Sequence, residues 1–253
     1  MGIASAGTQH VPGLPLLRAP ALQQQLRLRP VRHPALTMRP LALLFDLDGT
    51  LVDSAAVIAT VLNGMRAEQD QAAWPVASYR GWISLGAEQL VGNALGLHMD
   101  AVPAALAEFR RRYRALPTPP ETMFPGVADT LAALADQDYP MAVCSNKPEV
   151  LCIKVLQDLD LLHRFGSVVG GDSAASPKPH RAPLDHALAA LSAAGKPAVL
   201  IGDSTVDQEA AAAAGIPFIF FTGGYDDGVV PGTPYASIDR LPELLALLPA
   251  MTS

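Results

Sequence analysis

LALLFDLDGTLVDS, residues 41–54, runs five mostly aliphatic residues straight into two carboxylates, Asp46 and Asp48, and then turns on Gly49. A short apolar run bounded by a turn reads as a buried strand, and two like charges stand at its end. Similar strand-sized runs recur down the chain: MAVCS (141–145), SVVG (167–170), AVLIG (198–202) and PFIFF (217–221). Helical patterns over 127–136, 149–159, 184–193 and 207–214 lie between them. Strands alternating with helices specify an α/β fold, here a doubly wound, Rossmann-like parallel sheet.

The interval between the first two strands is too long for a single crossover. Residues 55–121 read as mostly helical, over 55–68, 87–95 and 102–114, and are expected to form a small helical cap domain inserted after the first strand. The proline-rich PTPPETMFPG (117–126) marks the return, so that residues 38–54 and 122–253 make the core domain. The first 37 residues are rich in Pro, Leu, Gln and Arg, show no clean period, and are expected to be a disordered extension. Their acid-free composition also suits a transit peptide, and initiation at Met38 would remove them altogether.

Composition bounds the function. Half of the 253 residues are hydrophobic, enough for a sizeable core. The two cysteines, Cys144 and Cys152, are too few for a disulfide framework and read as buried, reduced thiols, which fits a cytoplasmic protein. No uninterrupted apolar run reaches the roughly 18 residues that a membrane span needs. Residues 1–39 carry five arginines and no acid, leaving 13 bases against 24 acids, a formal −11, over the rest. Such a body has no general attraction to nucleic acid, and any anion it binds must be held by local cations.

In open α/β sheets ligands gather beyond the carboxyl ends of the strands. There the chain places Asp46, Asp48 and Thr50 after the first strand, and Ser145 and Asn146 after the second. Lys178 comes ahead of the fourth, with Asp203, Ser204 and Asp207 after it. Carboxylates brought so close repel and raise one another's pKa unless a cation joins them. An oxygen-only donor set suits Mg²⁺ rather than zinc, and Mg²⁺ beside a lysine is a site for a transferring phosphoryl group.

Four motifs in order, DLDGT (46–50), Ser145 followed by NKP, Lys178 within SPKP (176–179) and GDSTVD (202–207), resemble those of haloacid dehalogenase-superfamily phosphatases, in particular the phosphoglycolate phosphatase-like group. The resemblance runs over roughly residues 41–248 and takes in FPGV (124–127), VVGGD (168–172) and GYDDG (224–228). It implies that Asp46 is the nucleophile, forming an aspartyl-phosphate, and that Asp48 protonates the leaving alkoxide and then deprotonates water. Ser145, the amide of Asn146 and Thr50 would hold the phosphoryl oxygens, with Lys178 balancing charge. Asp46, the main-chain carbonyl of Asp48, and Asp203 would hold Mg²⁺. Asp207 fits an outer metal ligand, an orienter of Lys178 or a helix N-cap, and Ser204 fits a cap as well.

Asp48 separates the phosphatases from the halide-displacing members, which lack a carboxylate there, but phosphomutases of the β-phosphoglucomutase kind share it. Specificity is expected from the cap loop YRGWISLGAEQL (79–90), where Arg80 would meet a substrate carboxylate or second anion and Ser84 and Gly86 would allow close approach. Arg110, Arg111, Arg112 and Arg114 read as a solvated helix face. Two positions depart from the group's pattern: Arg181, where proline is frequent, and Val206, where asparagine is frequent. The substrate is expected to be a small phosphorylated metabolite, preferably 2-phosphoglycolate. N-acetylmuramate 6-phosphate, a sugar phosphate, a mutase reaction or a non-catalytic binding module are the alternatives, and the oligomeric state is open.

Overall fold

The computed structural model describes residues 1–2, 41–230, 232 and 234–251, so the expected N-terminal extension lies outside the described residues beyond its first two. Six short strands form one sheet: β1 (Ala42–Phe45), β2 (Met141–Cys144), β3 (Ser167–Val169), β4 (Ala198–Gly202), β5 (Phe218–Phe221) and β6 (Ala236–Ile238). Their order is β3-β2-β1-β4-β5-β6 and every pairing is parallel. Phe45 pairs with Val143 on one side and Ile201 on the other, which brings the carboxyl ends of β1, β2 and β4 level. Between β1 and β4 the strand order reverses, and a crevice opens there at the sheet edge.

Both faces of the sheet are covered. Leu43, Phe45, Val143, Val199 and Ile201 point into one apolar cluster. Ala42, Leu44, Ala142, Cys144 and Leu200 point into the other, against α7 (Ala182–Ala190) and α8 (Thr205–Ala214). Side chains alternate across a strand, so a strand buried on both faces needs an unbroken apolar run, which is how these runs are written. Each Leu or Phe so buried contributes about 1.5–3 kcal/mol. Cys144 and Cys152 are free and buried, as expected, and burial pushes the Cys144 thiol up to about 12.

The insert between β1 and β2 is helical: α1 (Ala55–Ala67), α2 (Ala77–Ile83), α3 (Ala87–Leu95) and α4 (Val102–Ala115). Its apolar stripes, such as Ile58, Leu62 and Met65 of α1, join the same cluster as β1 and as α6 (Glu149–Asp158), so the insert sits directly on the sheet edge. The segment expected as a loop over 79–90 begins inside α2. Tyr79 and Ile83, one turn apart, bury its inner face, while Gly81 interrupts the pattern on the open side and hides the helix from a periodicity reading. Two further elements escaped that reading. β6 is a three-residue edge strand, and α9 (Leu244–Met251) is apolar nearly all round with only Leu244 and Leu248 buried. α5 (Val127–Ala135) follows the return segment from the insert.

Candidate active site

Asp46 stands one residue past β1, fixed by its backbone N–H donating to Ile201 O at 2.9 Å. Asp203 stands one residue past β4, on the adjoining strand. Asp207 lies in the first turn of α8, whose N-terminus opens onto the same crevice. Each of these three buried carboxylates presents an oxygen within 4.8 Å of the others. Lys178 bridges two of them, its Nζ donating to Asp46 Oδ1 at 2.9 Å and to Asp207 Oδ1 at 2.5 Å. Three carboxylates against one ammonium leave two negative charges unbalanced in a buried site.

The electrostatics carry that imbalance. Burial pushes the Asp46 carboxyl up to about 6; Lys178 pulls it back, and the charges of Asp207 and Asp48 raise it further. Burial, with the charges of Asp46 and Asp207, also lifts Asp203 well above the usual carboxylate range. Burial alone would lower the Lys178 ammonium, but Asp207 and Asp46 override it and hold it above the usual lysine range. A divalent cation on the three carboxylates would neutralise the excess, and the donors are all hard oxygens, so the residues present fit Mg²⁺.

Asp203 is locked in place. Its Oδ1 accepts from Thr50 Oγ1 at 2.9 Å and its Oδ2 from the Tyr225 N–H at 2.8 Å. Gly49 and Gly224 close on it from two sides: a Cβ at either would come within 2.2 or 2.3 Å of Asp203 atoms, and Gly49 has φ +96°. The N-cap of α8 is Ser204, and Asp207, three residues on, answers it from inside the first turn while holding the lysine. Ser204 Oγ accepts from the Asp207 N–H at 3.3 Å and the Ser204 N–H donates back to Asp207 Oδ2 at 3.3 Å, which is a capping box, while Asp207 Oδ1 takes Lys178. The N-cap role thus falls to Ser204, and Asp207 contacts Lys178.

Asp48 turns away from this cluster. Lys147 Nζ donates to its two carboxylate oxygens at 3.0 and 2.7 Å, Ser54 Oγ donates to Oδ1 as well, and the metal assignment of Asp48 rests on its main-chain carbonyl alone. Burial works against the Lys147 ammonium, yet the Asp48 charge raises it above the lysine range. The Asn146 side chain ties the Lys178 segment to the end of β2, its Nδ2 donating to Lys178 O and its Oδ1 accepting the Lys178 N–H, both at 2.9 Å. Ser145 is buried beside them.

A cavity of about 20 Å³, room for one water, joins Asp46, Asp48, Ser145 and Lys178 to Ile83 and Ser84 of the insert. Ser84 thus shares a cavity with Asp46 and Asp48, and Val206, one of the departures from pattern, lines the same space. Gly86 lines two adjoining cavities. Arg80 lines none of the three. It donates to Asp53 Oδ2 at 2.9 Å and lies over the Tyr225 ring, whose hydroxyl donates to Asp53 Oδ1. Arg181 is taken up by Asp185 one turn on.

Lys147 and Tyr225 were missed in the sequence, although both sit inside quoted motifs, NKP and GYDDG. A lysine directly after a strand-end Ser-Asn pair is a signal for a buried cation. Nothing in the sequence pairs Tyr225 with Asp53, 172 residues away.

Residues 43–221 match the family model described as haloacid dehalogenase-like hydrolase. A phosphoglycolate phosphatase of Cupriavidus necator, plasmid-encoded, is 39% identical over 216 residues, covering 83% of this chain and 92% of the relative. One from Rhodospirillum rubrum is 37% identical over 195 residues, covering 74% and 81%. Among solved structures, one described as a predicted phosphoglycolate phosphatase from Haemophilus somnus superposes with a TM-score of 0.73. It is 27% identical, with 81% of this chain and 96% of that one covered. Among the described residues no helix is long and apolar enough to cross a membrane.

Proposed function

The chain belongs to the haloacid dehalogenase-like hydrolase family and is a phosphatase, and on that premise we propose that it is a Mg²⁺-dependent phosphomonoesterase whose preferred substrate is 2-phosphoglycolate. The observation that carries the reading is the division of the carboxylates: Asp46, Asp203 and Asp207 gather round Lys178, while Asp48 stands apart with Lys147. The relatives named phosphoglycolate phosphatase support the substrate.

In this reading Asp46, one oxygen held by Lys178, attacks phosphorus with its free oxygen, and the P–O bond to the leaving alcohol breaks. The departing alkoxide takes a proton from the Asp48–Lys147 pair, in which Asp48 faces the substrate. Water then attacks the phosphoryl group on Asp46, giving its proton to Asp48; phosphate leaves and Asp46 is regenerated. Lys178, Ser145, Thr50 and the Asn146 amide meet the charge on the phosphoryl oxygens. Mg²⁺, held by Asp46, Asp203 and the Asp48 carbonyl with Asp207 behind, would supply neutralising charge for the nucleophile and the phosphoryl group. Residues 55–121 act as a cap over a core of 38–54 and 122–253, and the cavity of about 20 Å³ is too small for substrate, so entry requires the cap to lift.

Phosphate release from a panel of phosphate esters, with Mg²⁺ and with chelator, tests this. Metal-dependent release that is greatest on 2-phosphoglycolate and falls at least about 10³-fold in Asp46→Asn is expected. Full activity in Asp46→Asn, or turnover indifferent to chelator, overturns the mechanism; preference for another ester overturns only the substrate.

A further inference from the structure

The arginines of α4 are not equivalent. Phe109 and Tyr113, one turn apart, bury the inner face of the helix, and Arg110 sits beside that face. Arg111 and Arg112 are fully engaged: Arg111 donates to both Glu108 oxygens at 2.7 Å, and Arg112 donates to Glu108 at 2.5 Å and to Glu68 at 2.7 and 2.8 Å. Arg110 has no such partner. Its Nε is buried without a hydrogen bond, and among the described residues no carboxylate pairs with its guanidinium. A buried donor left unmade costs free energy and calls for an explanation, a bound ligand being one.

Its position says which ligand. Arg110 lines a narrow cavity with Asp48, Asn146 and Lys147, and on its other side a cleft of about 300 Å³ with Asn146 and Lys178. Those four partners also line the catalytic cavity, so the three spaces share walls. Glu88 and Asp172 line the cleft as well; neither forms an ion pair with Arg110, and Asp172 is occupied by the Glu149 N–H at 2.8 Å. From the insert, Arg110 faces the groups that take the phosphoryl end. The guanidinium fork matches a carboxylate in two parallel hydrogen bonds, which a lone ammonium does not.

We infer that Arg110 is the specificity-determining residue for the leaving-group end of the substrate, binding a carboxylate carried on the alcohol while the phosphoryl group sits at Asp46. The inference rests on the phosphomonoesterase reading above and assigns to Arg110 the role that the sequence had pointed to at Arg80, which Asp53 occupies instead.

The test is a ratio. kcat/KM is measured for 2-phosphoglycolate and for ethyl phosphate, its carboxylate-free counterpart, in the wild type, Arg110→Gln and Arg110→Lys. Wild type is expected to prefer the carboxylated ester, Arg110→Gln to lower that preference on the order of 30-fold, mainly through KM, and Arg110→Lys to fall between. A misfolded or catalytically damaged variant loses both esters together, so equal losses, or an unchanged ratio, overturn the inference. If wild type ranks another anionic ester, such as 3-phosphoglycerate, above 2-phosphoglycolate, the substrate reading fails by itself. Arg110→Gln must then still collapse that other preference, and the inference fails if it does not. A wild type indifferent to any second anion overturns both.

Discussion

Removing the charge of Asp46 should spare the metal-free protein a loss of stability that the wild type suffers as the pH rises, and the size of the effect follows from its burial. The carboxyl is moved from the ordinary 3.8 up to about 6, chiefly by desolvation against the Lys178 attraction. At about 1.36 kcal/mol per pH unit, that interval corresponds to about 3 kcal/mol. The sign is set by where the proton binds more tightly. Because the folded-state pKa lies above the unfolded one, the folded protein holds the extra proton between 3.8 and about 6. The contribution of Asp46 to stability is therefore complete below 3.8 and is lost as the pH climbs through about 6. Asp46→Asn abolishes this titration and leaves Lys178 paired with Asp207. Urea unfolding of wild type and Asp46→Asn, both metal-free, is followed from about pH 4 to pH 7. Subtracting the two curves cancels carboxylates distant from the site. The wild type is expected to lose roughly 2–2.5 kcal/mol of this contribution relative to the variant across that range, and saturating Mg²⁺ to erase most of the loss by taking the place of the proton. Parallel curves, or a wild type that gains on the variant, would refute the reasoning that the site is short of positive charge.

Lys178→Met should leave three buried carboxylates without a cation and cost about 3–5 kcal/mol, part of it recovered by Mg²⁺ in thermal melts; equal melts with and without metal would count against a shared site. Gly49→Ala drives a Cβ to 2.2 Å from Asp203 Oδ2 at a φ of +96°, and should cost roughly 1–3 kcal/mol and weaken Mg²⁺ binding measured by titration calorimetry. Gly81→Ala is its counterpart: with nothing within 4 Å of the added carbon, inside α2, it should raise stability by about 0.5–1 kcal/mol in the same melts. Arg80→Ala breaks an ion pair whose side chains are 45% and 33% exposed, so its stability cost should stay below about 1 kcal/mol in urea. A larger loss would mean that the contact with Asp53 and Tyr225 holds the insert down.

Much of the site was legible because it is written at strand ends. Asp46, Ser145 and Asp203 each follow an apolar run directly, and in a parallel sheet of this order such positions must meet. The roles of Asp207 and Ser204 were narrowed but not chosen, since a capping box and a lysine contact use different oxygens of one carboxylate. Arg110 was misread with its neighbours because four arginines in one turn and a half look alike in sequence. Which of them faces inward depends on how Phe109 and Tyr113 seat against the core. α2 was hidden by Gly81, and β6 by having one exposed residue between two inward ones.

The chain by itself determined the alternation of strand and helix, the insertion after β1, and the order in which carboxylates, hydroxyl and lysine reach the crevice, because these follow from periodicity and from adjacency to strand ends. Pairings between residues far apart in the chain were decided only in three dimensions: Lys147 with Asp48 across 99 positions, and Tyr225 with Asp53 across 172. So was the buried Nε of Arg110, left without a hydrogen bond beside a cavity that Asp48 and Lys147 also line. The physical reason is that local pattern sets which face of an element is apolar, whereas the partner of a buried charge is chosen by whichever opposite charge the packing of other elements brings within reach.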